Sequence, residues 1–143
     1  MPIQPLVTAH ATSTGGRNGH TQSDDNLISV DLSVPKGMGG PGKPNTTTPE
    51  HLFAAGYAAC FGGAVDYQAT LLKLKPSSLE VNSDVTIGKS DDGGVGLAIV
   101  MHVKVGGLSE EDAKKIVEAG HAFCPYSKAI KGNVDVTLDV QTV

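Results

Sequence analysis

The sequence predicts an α+β fold in which an antiparallel or mixed sheet packs on a long central helix, and three observations carry that expectation. One long, mostly apolar stretch, "LFAAGYAACFGGAVDYQATLLKL", follows a helix-start signal at residues 48–50. Alternating apolar and polar residues, the mark of half-buried strands, lie on both sides of it. The elements run strands, long helix, strand pair, helix, strand, which separates sheet from helix along the chain as α+β folds do. There is no internal repeat, and the expectation is one domain, 1–143.

Taken in order, the chain opens irregularly and leads into a strand from about Leu6 to Thr14. "TGGRNGH", residues 14–20, is a glycine-rich turn with Arg17 at its tip. Ile28, Val30, Leu32 and Val34 alternate with other residues, so 27–34 is expected to be a strand. Residues 35–49 form a long Pro/Gly loop, of the kind that serves a function or an interface. Thr48 can cap a helix, Pro49 suits its first position and Glu50 complements its dipole. That helix is expected to run to about Lys75, where Pro76 ends it, and to be buried on most sides because it is apolar nearly all round. Leu79 to Ile87 and Leu97 to Val105 alternate, and "KSDDGG" at 89–94 joins them as a hairpin. Ser109 with Asp112 opens a second helix, whose inner face carries Ala113, Ile116, Val117, Gly120 and Cys124. Pro125 breaks it and can begin a short third helix, and Val134, Val136, Leu138 and Val140 form the last strand.

Composition narrows the function. The 143 residues carry a formal net charge of −4, and the basic residues form no block, so nucleic-acid binding is not expected. No run approaches the roughly 18 apolar residues of a membrane span. The N-terminus lacks a basic segment followed by an apolar run, so no signal peptide is read and a cytoplasmic location is expected. Thiols there stay reduced. None of His10, His20, His51, His102 and His121 makes an HxxxH pair and there is no CxxC. His121 and Cys124 have helical spacing but no third ligand, so no metal and no bound cofactor is expected. His121 is read as a helix residue beside Cys124. P-loop, GxGxxG and GxSxG signatures are absent.

The chemistry rests on the only two cysteines, Cys60 and Cys124. Two readings are open: unrelated core thiols, or a redox couple. In a couple, one thiolate attacks an O–O bond and becomes a sulfenic acid, and the second thiol condenses with it to a disulfide. Cys60 sits among Ala58, Ala59, Gly62 and Gly63, which let other segments approach its sulfur. Burial raises a thiol's pKa, so a reactive thiolate needs a cation. Arg17 is the candidate, with Glu50 able to hold its guanidinium by a bidentate contact; the alternatives are a solvated turn residue and a simple dipole partner. Glu50 and Cys60 are ten residues apart, about 15 Å along a straight helix. Either the helix breaks, for example at Gly56, or Glu50 serves Cys60 of a second copy; the second copy is the expectation, since a helix with Gly/Ala patches fits pairing across a two-fold axis.

"TGGRNG", "TPEHLFAAGYAACF" and "CPYSKAIKGN" together resemble the organic hydroperoxide resistance branch of the OsmC-like proteins, in order and along nearly the whole chain. The resemblance implies an intertwined α+β homodimer with two sites at its interface. It implies a Cys-based peroxidase that reduces organic hydroperoxides to alcohols, with Cys60 peroxidatic, Cys124 resolving, and Arg17 and Glu50 binding the thiolate. The implied reductant is a dihydrolipoyl group on a partner protein. The family usually reads TNPEQLF and CPYSNATRGN, so Thr48, His51, Lys128, Ile130 and Lys131 depart from it. Those departures touch surface contacts and the reductant-docking rim. An apolar pocket drawing on Phe53, Phe61, Phe123 or Tyr126 would favour a fatty or aryl hydroperoxide over hydrogen peroxide; Tyr126 and Phe53 are the expected lining. The competing readings are the neighbouring OsmC subgroup, with a broader peroxide preference, and a small-ligand binding module with regulatory cysteines.

Overall fold

A computed structural model describes residues 2–143. The chain forms two compact units, one ending at Leu52 and the other running from Phe53 to Val143.

The first unit is a small antiparallel sheet in the order β1 (Ala11–Thr14), β2 (His20–Ser23), β3 (Ser29–Asp31). Thr14 pairs with His20 and His20 with Asp31, so the glycine-rich segment closes a hairpin. Its tip is a 3₁₀ turn over Gly16–Asn18, entered through Gly15 at φ 78° and Gly16 at φ 60°, conformations that glycine adopts without cost. The expected strand from Leu6 begins only at Ala11, because Leu6 and Val7 stay outside the ladder and almost fully exposed. The strand expected over 27–34 pairs only at Ser29–Asp31, and Leu32 keeps a single bridge to Thr47. β2 is an addition: "HTQS" is polar and shows no apolar alternation.

Helix α1 spans Pro49–Leu71, unbroken through Gly56. Its start follows the sequence, with the His51 N–H donating to Thr48 Oγ1 at 3.1 Å. Its end comes before Pro76. The Lys73 N–H donates to Thr70 O and the Leu74 N–H to Ala69 O, with Lys73 at φ 58°. This is the paired hydrogen-bond pattern that closes many helices, here with lysine in the place glycine usually takes. The expected burial on most sides is corrected. Tyr57, Phe61, Ala64, Val65 and Ala69 form one buried stripe, while Ala55, Ala59 and Gly63 are exposed. In the second unit the core lies against one face of the helix only.

That core joins the α1 stripe to Ile99, Met101, Val103 and Val105 of β5 (Val95–Gly106) and to Ala113, Ile116 and Val117 of α2 (Glu110–Phe123). β5 pairs antiparallel with β4 (Ser78–Lys89) and parallel with β6 (Val136–Thr142), so this sheet is mixed. Ser109 Oγ caps α2 by accepting from the Asp112 N–H at 3.1 Å. Gly120 lets α2 lie against α1, since a Cβ there would fall 2.8 Å from Val65 Cα. α3 (Pro125–Ile130) begins at the proline, as expected. Among the described residues no helix is long and apolar enough to cross a membrane.

Candidate active site

The two cysteines come together inside the second unit. The α1 stripe points into the core, and Cys60 flanks it, half-buried. Cys124 is fully buried at the junction of α2 and α3. Both are free thiols, and the Cys124 thiol donates to Cys60 Sγ at 3.5 Å. A disulfide needs about 2.05 Å between sulfurs, so a side-chain adjustment of ~1.5 Å would join them. Burial pushes the Cys60 thiol above its usual range, and the adjoining Cys124 adds to that. The Tyr126 N–H, in the first turn of α3, works the other way. No cation of this unit offsets the burial among the described residues.

The first unit holds the charged pair. Arg17 Nη1 donates to Glu50 Oε2 at 2.9 Å and Nη2 to Oε1 at 2.5 Å, a two-pronged contact. The hydrogen bonds from Arg17 hold the Glu50 carboxyl below the usual carboxylate range against a partial burial that would raise it. The turn and the helix start present these two groups. Asn18 Oδ1 accepts from the Val34 N–H at 2.9 Å and ties the Arg17 turn to the next segment. Thr48 Oγ1 and His51 Nδ1 lie 2.7 Å apart, which fixes the residues on either side of Glu50.

Residues 40–139, which include α1 and the CPYS segment, match a known family model described as "OsmC-like protein". The chain belongs to the OsmC-like family. Within it, the organic hydroperoxide resistance proteins are its relatives. The one from Xanthomonas axonopodis pv. citri is 45% identical over 138 residues, covering 96% of each chain. OhrB of Bacillus subtilis is 44% identical, covering 95% of this chain and 98% of its own. The crystal structure of that Bacillus protein superposes with a TM-score of 0.88 at 42% identity, covering 96% of this chain and 100% of the other. An organic hydroperoxide resistance protein from Elizabethkingia anophelis, solved with crystallant-derived thiocyanate bound, gives 0.91 at 40% identity over 99% and 100%.

Of the residues expected at the OsmC-like site, the structure pairs Cys60 with Cys124 and Arg17 with Glu50. The aromatic expectations divide. Phe61 is wholly buried and belongs to the core. Phe123 stacks on Tyr67 with ring centroids 5.0 Å apart. Tyr126, 45% exposed, lies 6.0 Å from Tyr57, which also packs edge-on against Phe53 at 5.9 Å. Tyr57 and Ser127 were not singled out from sequence. Tyr57 Oη lies 2.6 Å from Ser127 Oγ, which is 2.9 Å from His121 Nδ1. The signal was present: each sits three residues from a cysteine, one helical turn away. Among the described residues no three His, Cys, Asp or Glu side chains group as metal ligands.

Proposed function

We propose that this protein is a thiol-dependent peroxidase that reduces organic hydroperoxides, fatty or aryl, to alcohols. The observation that carries the reading is a half-exposed thiol 3.5 Å from a buried one, both free. The names of the Xanthomonas and Bacillus relatives support the substrate class.

The Cys60 thiolate attacks the terminal oxygen of RO–OH. The S–O bond forms as the O–O bond breaks, and RO⁻ takes a proton to leave as the alcohol. Cys60 is now a sulfenic acid. Cys124 attacks its sulfur, the S–S bond forms, and the hydroxyl leaves with the Cys124 proton as water. A dihydrolipoyl group on a partner protein then reduces the disulfide by exchange, which regenerates both thiols and leaves the lipoyl group oxidised. No metal or bound cofactor takes part. The cycle needs a reducing compartment, so we place the protein in the cytoplasm.

The first step needs a charged sulfur, which burial opposes. Arg17 supplies the cation. Glu50 takes one N–H from each Nη, and the remaining guanidinium donors are free to face a thiolate. Helix α1 is continuous, so the ten residues from Glu50 to Cys60 span about 15 Å. We therefore assign the Arg17–Glu50 pair of one copy to Cys60 of a second, in a homodimer. The exposed small face at Ala55, Ala59 and Gly63 suits that pairing. Tyr126 and Phe53 are assigned to the apolar wall that receives the organic group.

The test is stoichiometric. Reduced protein treated with one equivalent of cumyl hydroperoxide should lose both thiols and the mass of two hydrogens, and release one alcohol. Unchanged thiols and mass would overturn the reading.

A further inference from the structure

Three helices meet at one oxygen. Ser127 Oγ, on α3, contacts Tyr57 Oη of α1 and His121 Nδ1 of α2. Ser127 is the buried residue of α3, and Tyr57 is wholly buried. Burial holds His121 below the usual imidazole range, so its ring is neutral near pH 7 and Nδ1 can accept. A chain in which the Tyr57 hydroxyl donates to Ser127 and the Ser127 hydroxyl donates to His121 satisfies every group.

The place of this chain matters more than its presence. Tyr57 precedes Cys60 by three residues on α1, and Ser127 follows Cys124 by three at the head of α3. One hydrogen bond thus ties the two cysteine-bearing segments together, a turn away from each sulfur. Cys124 itself is a joint: its backbone, at φ −56° and ψ 123°, belongs to neither helix. It is held by its N–H to Gly120 O at 2.8 Å and by its carbonyl accepting from the Lys128 N–H at 3.0 Å. α3 has six residues, too few to be helical by itself. Its seating therefore depends on what it packs: Ser127 is buried, Ile130 rests against the core and Tyr126 lies beside Tyr57. The Tyr126 N–H that acts on Cys60 rides on the same short helix.

We propose that Tyr57 and Ser127 are positioning residues for disulfide formation: their hydrogen bond seats α3 so that Cys124 Sγ stays against Cys60 Sγ. The proposal rests on the reading of Cys60 and Cys124 as the reacting pair. Without the bond, α3 and Cys124 move off, and closing the disulfide must first order them again.

Two variants remove the bond from opposite ends, Ser127→Ala and Tyr57→Phe. The first measurement is the equilibrium of the Cys60–Cys124 disulfide with dithiothreitol, which needs no hydroperoxide. Each variant should favour the dithiol by roughly tenfold, the scale of a hydrogen bond lost with its partner left buried. The double variant should fall little further, because both changes delete the same contact. The second measurement adds one equivalent of cumyl hydroperoxide with dimedone present. The fraction of Cys60 trapped as sulfenic acid, relative to disulfide, should rise severalfold in both variants; a mere loss of stability would not move that ratio. Equilibrium and trapping ratio within twofold of the parent in both variants would overturn the proposal. If the parent protein ignores hydroperoxide, the peroxidase reading fails, while the dithiothreitol equilibrium still decides the clamp.

Discussion

The Arg17–Glu50 pair and the Cys60–Cys124 pair are built in opposite ways. The charged pair is assembled by a glycine turn and a capped helix start, and the Arg17 side chain stays 38% exposed. Its charges are matched to each other before any thiolate is present. The sulfur pair is assembled by packing, with one member fully buried and the other pushed toward its neutral form. A cation already neutralised and a thiol denied its charge are each chemically idle. The lesson is that burial of a thiol creates an electrostatic need, which in the proposed cycle Arg17 meets.

The sharpest way to break this contrast is at the sulfurs. Cys60→Ser should abolish hydroperoxide consumption in a coupled assay with a dihydrolipoyl reductant. Cys124→Ser should keep the first attack but end turnover, and mass spectrometry should find Cys60 as sulfinic or sulfonic acid. Turnover retained by Cys124→Ser would remove Cys124 as the resolving thiol.

Next in size is the charge. Arg17→Ala should slow the single-turnover rate at pH 7 by roughly tenfold to a thousandfold, since an adjacent opposite charge shifts a pKa by about 1–3 units. The sign follows from the thiolate. The rate rises with pH as Cys60 ionises, so losing Arg17 should move that rise to higher pH and the variant should recover in alkali. A rate loss equal at every pH would mean that Arg17 does something other than hold the charge. The ion pair also has its own pH dependence in stability. Glu50 is depressed in the folded state, so its contribution is present above the unfolded value of about 4.3 and is lost as pH falls through the lower folded value.

The smallest effect lies at the helix start. Thr48→Ala removes the hydroxyl that accepts from the His51 N–H and should cost about 1 kcal/mol in denaturant unfolding. It should weaken Arg17-dependent rate enhancement while leaving the dithiothreitol equilibrium of the two cysteines unchanged. A shift in that equilibrium would show that the helix start also acts on the sulfur pair.

Much of this was legible in the sequence because local rules governed it. Thr48-Pro49-Glu50 started a helix, Ser109 capped another and Pro125 opened a third, each as side-chain chemistry dictates. The inner face of α2, Ala113 to Gly120, followed from spacing; Cys124 is buried as expected but sits just past the end of the helix. What was not legible depended on partners far along the chain. β2 is polar and becomes a strand only because β1 and β3 flank it. α1 is closed just past Leu71 by Lys73 in a left-handed conformation, a place that glycine usually takes. Its exposed face at Ala55, Ala59 and Gly63 could not be told from its buried face, because both are apolar. At the site, the four reactive residues stood out by type. Tyr57 and Ser127 did not stand out by type; their spacing of three residues from a cysteine was visible, but their meeting across 70 residues was not.

The central claim of the proposal is that the two pairs make one site across two copies, and mixing an inactive variant with an impaired one tests it directly. Cys60→Ser keeps Arg17, and Arg17→Ala keeps Cys60. Refolded together at equal amounts, half of the dimers should be mixed, each with one site that joins an intact Cys60 to an intact Arg17. The account predicts that hydroperoxide turnover returns to about a quarter of the parent value, as statistical pairing in a two-fold dimer requires. Turnover that stays at the level of Arg17→Ala alone would contradict it.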